Sequence, residues 1–256
     1  MCPQLKSERL RRTRQRIEEN GYATVNELSM LFNVSPATIR RDLEEMVSLG
    51  WIRRDHGGAL RIDSRMMESP VLKRMAAQAE EKRRIGQAAA ALVNPGETIF
   101  IGSGTTTLEV ARQLHVAESL TVITNAMNIA DELVNNSQIT LIVIGGLVRH
   151  SELSLIGHIT EQALRELRAD KVFLGIRAVS IRDGLTNNYL PEIMTDRAIL
   201  QIASQIILVA DHTKLGKVST SHVAPISVIH TLVTSNQAPQ AFVKELEAQG
   251  IRVILA

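Results

Sequence analysis

The sequence predicts an α/β protein in two parts: a small helical module closed by a β-hairpin, then a larger domain built on a mostly parallel sheet. Three observations carry that expectation. Between residues 8 and 50, three short amphipathic stretches follow one another, separated by residues that cap helices. After Gly96, short β-branched runs alternate with segments of helical period, the pattern left by parallel strands with crossover helices. Charge divides along the same line, with 17 Lys and Arg against 12 Asp and Glu in residues 1–84, and 12 against 15 in the remainder.

Composition narrows the field. A hydrophobic fraction of 45% supports packed cores, while 3% aromatic residues is too few for a platform on which single-stranded bases stack. Cys2 is the only cysteine. Neither an intrachain disulfide nor a Cys-rich zinc site is expected, and the histidines form no motif such as HExxH. No cofactor is predicted. The cationic first fifteen residues are not followed by an apolar run, and no stretch approaches 18 uninterrupted apolar residues. A cytoplasmic protein with no membrane partner is the expectation.

In the first module, residues 8–19 carry Leu10 and Ile17 two turns apart and stop at Asn20-Gly21, a good C-cap pair. Thr24 caps a second helix whose apolar edge is Val25, Leu28 and Leu31, and Phe32 and Val34 close the turn that follows. Ser35 and Pro36 then start a third helix: the serine oxygen can accept from a free N–H, and proline suits the first helical position. Leu43 and Met46 return to the face of Ile39, which puts Ala37, Arg41, Glu44 and Ser48 opposite, with Thr38 and Arg40 beside them. An apolar back and a cationic front are what a helix entering a DNA major groove needs. Gly50 ends it. Residues 51–54 and 59–62 read as the two strands of a hairpin around Asp55-His56-Gly57-Gly58. Three helices and a two-stranded wing make a winged helix-turn-helix over residues 1–62. Ser35, Ala37, Thr38, Arg40 and Arg41 on the helix, with Arg53, Arg54, His56, Gly57 and Gly58 on the wing, are the candidate DNA contacts. Arginine there can neutralise phosphates or pair with guanine. Asp42 reads as structural, a partner for a neighbouring arginine.

Val25-Asn26-Glu27-Leu28, Phe32-Asn33-Val34-Ser35, Thr38-Ile39-Arg40-Arg41-Asp42-Leu43 and Arg54-Asp55-His56-Gly57-Gly58-Ala59 resemble the DeoR family of bacterial transcription regulators in order and spacing. The resemblance implies binding to double-stranded operator DNA near sugar-metabolism genes, most often as a repressor. A homodimer or homotetramer would let paired recognition helices read two half-sites.

Residues 63–79 are expected to link the two parts, with a connecting helix starting at Ser69-Pro70. The second domain, residues 80–256, opens on an Ala-rich helical stretch ending at Asn94-Pro95-Gly96. Candidate strands are 98–101, 120–124, 140–144, 171–174, 206–210, 231–234 and 252–255, with helices at 105–114, 126–135, 159–168, 192–205 and 238–249. Ligands of such sheets sit beyond the carboxyl ends of the strands. There, Ser103-Gly104-Thr105-Thr106-Thr107 joins a strand to a helix with glycines, hydroxyls and a helix N-terminus, the makings of an anion site. It matches neither a Walker loop nor a full dinucleotide fingerprint, and a capped tight turn would use the same residues. Thr124-Asn125, Gly145-Gly146 and Asp211-His212-Thr213-Lys214 follow other predicted strands. With Asp183-Gly184-Leu185-Thr186 and Glu192, these segments resemble the sensor domain of the same family. That resemblance implies a fold akin to ribose-phosphate isomerase and the CoA transferases, and a phosphorylated sugar or polyol as effector. By match of motif, Ser103, Gly104, Thr105, Thr106, Thr107, Asn125, Gly146, Asp211 and Lys214 would line the site.

Ile176-Arg177-Ala178 and Asp196-Arg197 depart from the family pattern. An enzymatic reading rests on Asp183, Glu192 and Asp211 as carboxylates. No two of them have a spacing that dictates acid–base geometry, so no catalytic residue and no metal site is expected.

Overall fold

A computed structural model describes residues 6–48, 51–55, 57–61, 71–114 and 119–256, without the side chains of Ser48, Arg53, Arg61 and Leu72. The chain forms two compact units, Met1–Glu68 and Ser69–Ala256.

In the first unit, α1 (Lys6–Asn20) ends where Gly21, at φ +78°, donates to the Ile17 carbonyl. α2 (Val25–Phe32) begins with a capping box: the Glu27 N–H donates to Thr24 Oγ1 at 3.1 Å and the Thr24 N–H donates back to Glu27 at 2.7 Å. Its buried face is Val25, Leu28 and Phe32, while Leu31 is 49% exposed. This corrects the expected edge through Leu31. Steps of three residues drift by 60° each, whereas i, i+3, i+7 stays on one face. α3 (Pro36–Ser48) buries Ile39, Leu43 and Met46 completely. The wing strands are β2 (Ile52–Asp55) and β3 (Gly58–Arg61), but the sheet has a third strand, β1 (Tyr22–Thr24), paired with β3. Three residues wedged between a helix cap and a helix start are too few to show a period of two. The expected positions of His56, Gly50 and Ile62 lie outside the described residues.

Asp42 sits on the buried side of α3 and holds Arg9 of α1 in a two-point ion pair, with distances of 2.5 and 3.1 Å. Both residues are under 10% exposed. Around them, Leu10, Ile17, Leu28, Phe32, Ile39, Leu43, Met46 and Ile52 form the core, each contributing roughly 1.5–3 kcal/mol when fully buried.

The second unit begins with the short helix α4 (Val71–Arg74), separated by a turn from α5 (Ala79–Ala90). The connecting helix expected from Ser69-Pro70 amounts to the single turn of α4, and the chain turns again before α5, with Gln78 at φ +49°. The main sheet has seven strands: β4 (Thr98–Ile101), β5 (Leu120–Thr124), β6 (Ile139–Val143), β9 (Ala169–Leu174), β12 (Ala203–Val209), β14 (Thr231–Thr234) and β15 (Arg252–Leu255). Their order is β15-β14-β12-β9-β4-β5-β6, and every pair is parallel. Alternation sends Ile99, Ile101, Phe173 and Val209 to one face, against α5, α6 (Thr105–Arg112) and α7 (Met127–Leu133). Phe100, Val172, Leu174 and Leu208 go to the other, which holds residues of α8 (His158–Arg165), α9 (Ile193–Leu200) and α10 (Gln240–Ala248).

Smaller pieces complete the unit. β7 (Leu147–Arg149) and β8 (Ser154–Ile156) form a hairpin; β10 (Ala178–Ser180), β11 (Gly184–Asn187) and β13 (Ser221–Ala224) form an antiparallel sheet. None was expected from periodicity. The helix expected over 192–205 stops at Leu200, because β12 starts early with Ala203, Ser204 and Gln205, which are not an apolar run.

Replacing Asp42 with alanine leaves the Arg9 guanidinium inside the first unit without that carboxylate, at a cost of about 3–5 kcal/mol. Trp51 is the only tryptophan and lies in this unit, so urea unfolding followed by its fluorescence reads the loss. An unchanged midpoint contradicts the assignment.

Candidate nucleic-acid face and anion site

The buried back of α3 turns its other flank to solvent. The Thr38 N–H donates to Ser35 Oγ at 3.2 Å, and the two hydroxyls lie 2.9 Å apart, so the expected cap is formed. Ser35, Ala37, Arg40 and Arg41 are exposed and Thr38 is half-buried. Among the described residues neither Arg40 nor Arg41 has an acidic partner, which leaves both guanidinium groups uncommitted. On the wing Arg54 is exposed; the Arg53 side chain and His56 lie outside the described residues. Gly57, exposed at φ +85°, accepts from the Val25 N–H at 2.9 Å and ties the wing tip to the start of α2. Gly58 serves a different purpose. A Cβ there would lie 2.4 Å from the Ala23 carbonyl oxygen, so this buried glycine lets β3 close on β1 and is withdrawn from a DNA-facing surface.

In the second unit, chain order reverses at β4: β5 and β6 lie on one side, β9, β12, β14 and β15 on the other. That is the switch point beside which a doubly wound sheet opens a crevice. The Gly102 N–H donates to the Phe173 carbonyl at 2.9 Å, holding the loop after β4 against the end of β9. Gly104, at φ +145°, turns the chain into α6. The Thr107 hydroxyl donates to the Gly104 carbonyl at 3.1 Å and is fully buried, so it serves the turn and faces no ligand. Ser103, Thr105 and Thr106 remain at the mouth of a helix whose first N–H groups lack intrahelical acceptors. A Cβ at Gly175, after β9, would stand 3.3 Å from the Ser103 carbonyl oxygen; the two loops touch.

Asn125, after β5, is buried. Its amide nitrogen donates to the Leu155 carbonyl at 3.0 Å, and its Oδ1 has no hydrogen-bond partner among the described residues. Asp211, after β12, is also buried. It accepts from the Thr213 N–H at 3.0 Å and from the Thr213 hydroxyl, and stands 4.0 Å from the Lys214 ammonium. An acceptor-only carboxylate orders cations and repels phosphate, so Asp211 organises this edge. Burial pushes the Lys214 ammonium below its ordinary value; Asp211 opposes that, while Arg177, Arg74 and Lys217 add to it. Burial lowers Lys82 of α5 likewise, against Asp211 and Glu81 and with Lys214 and Arg74. Arg74, Lys82 and Lys217 were not anticipated at this edge. They are scattered along the sequence among ordinary surface charges, and only the sheet order brings them together.

Gly146 is placed otherwise than expected. A Cβ there would lie 2.0 Å from Thr160 Oγ1 and 2.8 Å from the Ile156 carbonyl oxygen. It lets the end of β6 approach the turn into α8, a packing role. The carboxylates considered as bases are all engaged. Glu192 is buried against Arg149 and accepts from Ser154 Oγ at 3.0 Å, and Asp183 accepts from Ser180 Oγ at 2.9 Å. Asp196 accepts from the Asn187 amide, and Arg197 donates to the Val223 and His222 carbonyls, so that departure from the family pattern braces α9 against β11 and β13. Among the described residues no three His, Cys, Asp or Glu are grouped to hold a metal ion.

Two family models match the chain: the DeoR-like helix-turn-helix domain over residues 9–65 and the DeoR C terminal sensor domain over residues 77–236. Similar curated proteins include the HTH-type transcriptional regulator GolR of Listeria innocua, 32% identical with 94% of each chain covered. A putative aga operon transcriptional repressor of Escherichia coli O157:H7 is 32% identical over 97% of this chain and 93% of its own. The glycerol-3-phosphate regulon repressor of Escherichia coli K12 is 33% identical over 93% and 94%. Among solved structures, a ribose 5-phosphate isomerase of Methanocaldococcus jannaschii aligns at 17% identity over 54% of this chain and 55% of its own, with a TM-score of 0.40, too slight a likeness to carry an argument.

Gly146→Ala forces a methyl group into the Ile156 backbone and is expected to cost about 1–3 kcal/mol, the usual range for overpacking. Calorimetry of the full chain reads this as a lowered melting temperature of the second unit; an unshifted transition contradicts the packing role.

Proposed function

The chain belongs to the DeoR family of transcriptional regulators, and from that premise we propose a repressor of carbohydrate-metabolism genes whose hold on operator DNA is controlled by a phosphorylated sugar or polyol. The observation that carries the effector reading is the cation-bearing edge after β12: the Lys214 ammonium stands 4.0 Å from the buried Asp211 carboxylate, and Glu81 accepts from the His212 N–H at 2.9 Å, which brings the start of α5 with buried Lys82 to the same loop, where Lys82, Lys214 and Arg74 act on one another's charge. A dianion placed there relieves their mutual repulsion. The Thr105 and Thr106 hydroxyls and the unpaired Asn125 oxygen suit the hydroxyls of a sugar or polyol. Ser103, Gly104, Thr105, Thr106, Asn125 and Lys214 line the site on this reading, with Asp211 orienting the cations.

Operator DNA is the partner proposed for α3 and the wing, read by a homodimer or homotetramer with two recognition helices set one helical turn of DNA apart. Cytoplasmic location follows from that partner; no described helix is long and apolar enough to cross a membrane. Activation instead of repression would use the same parts, since operator position decides it. An isomerase-like activity is disfavoured because Glu192, Asp183 and Asp211 are each committed to a structural partner.

Titrating phosphorylated sugars and their unphosphorylated parents into an operator-binding assay tests the proposal. One phosphorylated compound is expected to shift operator affinity roughly 5- to 150-fold, the span of ordinary coupling energies, and its parent to do far less. A panel without effect contradicts it. Thr106→Ala is expected to keep ligand-free operator binding and blunt the response. Arg41→Ala is expected to cost about 1–3 kcal/mol on operator through a lost base contact. Arg54→Ala should weaken all sequences alike and lower the salt slope by about one. Equal losses on operator and random DNA for both would remove Arg41 from base reading.

A further inference from the structure

In the second unit α8 and α9 pack side by side, on the face of the sheet opposite α5 and α6. Near their N-terminal ends the N–H of Gly157, the residue before α8, donates to Thr195 Oγ1 at 3.0 Å, and the Thr195 hydroxyl donates to Glu161 at 3.2 Å. Beyond their C-terminal ends the Ala169 N–H donates to the Ile202 carbonyl at 2.9 Å. The two helices therefore run the same way. The β7–β8 hairpin is fastened to the N-terminal end: Arg149 and Ser154 both bind Glu192, and the Arg149 guanidinium stacks 4.2 Å from the centre of the Tyr189 ring.

The outer surface of these elements has two unlike ends. The N-terminal end is apolar. Leu147 of β7, Ile159 of α8, Leu190 of the turn before α9 and Met194 of α9 are 69%, 67%, 71% and 57% exposed, with Tyr189 among them. Single exposed apolar side chains are ordinary, but four on elements fastened together expose on the order of a few hundred Å², which marks an interaction site. Val134, Val218 and Leu255, also exposed, are spread over separate parts of the unit. The C-terminal end is a groove of about 360 Å³ between the two helices. Leu164, Ala198 and Ile202 supply its apolar lining, and the exposed Arg165, Arg168 and Arg197 its cations.

A second copy of this chain suits that face in shape and in charge. Polar groups beneath the apolar end already have partners, Glu192 in Arg149 and Ser154, Thr195 in Gly157 and Glu161, so covering it leaves none of them unpaired. A two-fold axis sets the same face against itself end for end. The apolar end of each copy then meets the groove of the other. The same reversal carries the two arginine-lined grooves to opposite ends of the contact, where their guanidinium groups do not face one another.

Resting on the homo-oligomer proposed for operator binding, we propose that two copies of the second unit join across α8 and α9 about a two-fold axis, with Ile159, Leu190 and Met194 of each seated on the α8–α9 groove of the other. Apolar side chains form the centre and arginines the rim, the usual arrangement in an interface of roughly 800 Å² per partner. α5 and α6 cover the other face of the sheet, so this contact leaves both free.

Sedimentation of the full chain provides the test, with wild type expected as a dimer or tetramer. Ile159→Arg and Met194→Arg each bring a cation against the partner's guanidinium groups. Each is expected to raise the dissociation constant roughly thirtyfold or more, the scale of an interface hot spot, so that the mass halves where wild type is assembled. Val134→Arg, on α7, is expected to keep the wild-type mass. An assembled wild type whose mass neither Ile159→Arg nor Met194→Arg lowers overturns this face and leaves the homo-oligomer standing. A wild-type chain that is monomeric at every concentration overturns both. Should the two variants fail to fold, amide hydrogen exchange of wild type decides. Residues 158–165 and 190–201 are expected to exchange more slowly in concentrated than in dilute protein, and equal rates overturn the proposal.

Discussion

How closely α5 lies on α6 governs the edge proposed as the anion site. A Cβ at Gly86 would stand 2.6 Å from the backbone carbon of Glu109, so no side chain larger than hydrogen fits where the two helices cross. α6 itself is fixed by the loop after β4, pinned to β9 through Gly102 and Phe173. The close crossing therefore carries the start of α5, and with it Glu81 and Lys82, to the edge of the sheet where the strands end. A parallel sheet is covered on both faces by its crossover helices, which leaves this edge as the place where a ligand can approach the backbone.

The two residues at the start of α5 act in opposite directions along the chain. Glu81 reaches forward in sequence to His212, accepting from its N–H at 2.9 Å and meeting its ring Nδ1 at the same distance. Burial works to raise the Glu81 carboxyl, but hydrogen bonds from Ser235 and His212 outweigh it and hold it below the ordinary value. Its contribution to stability is therefore present at neutral pH and is lost as pH falls through the lowered value. Lys82 reaches back to the carbonyls of Arg74 and Ala77. One turn of helix thus joins the loop carrying Asp211 and Lys214 to the chain arriving from the DNA-binding unit.

Much of this was legible in the sequence because it follows from local rules. Ser35-Pro36 and Thr24…Glu27 announce helix starts through hydrogen bonds made within four residues, and the inner parallel strands β4, β5, β9, β12 and β14 stand out as apolar runs because both their faces are buried. What escaped was non-local or too short to have a period. β1 and β7 have three residues each. Arg74, Lys82 and Lys217 look like solvated charges until the sheet order places them beside Lys214. Gly58 and Gly146 stood in motifs that suggested ligands, yet each is explained by a backbone that approaches too closely for any Cβ. A motif names the residue; only the contact shows its duty.

Two separate units on one chain matter functionally only if binding at one changes binding at the other, and such coupling is reciprocal by thermodynamic necessity. The most direct measurement is the affinity of the full chain for its phosphorylated effector, taken once on free protein and once on protein saturated with operator. The account predicts that the two affinities differ by the same factor by which saturating effector changes operator affinity. Equal effector affinities in the two states would contradict it.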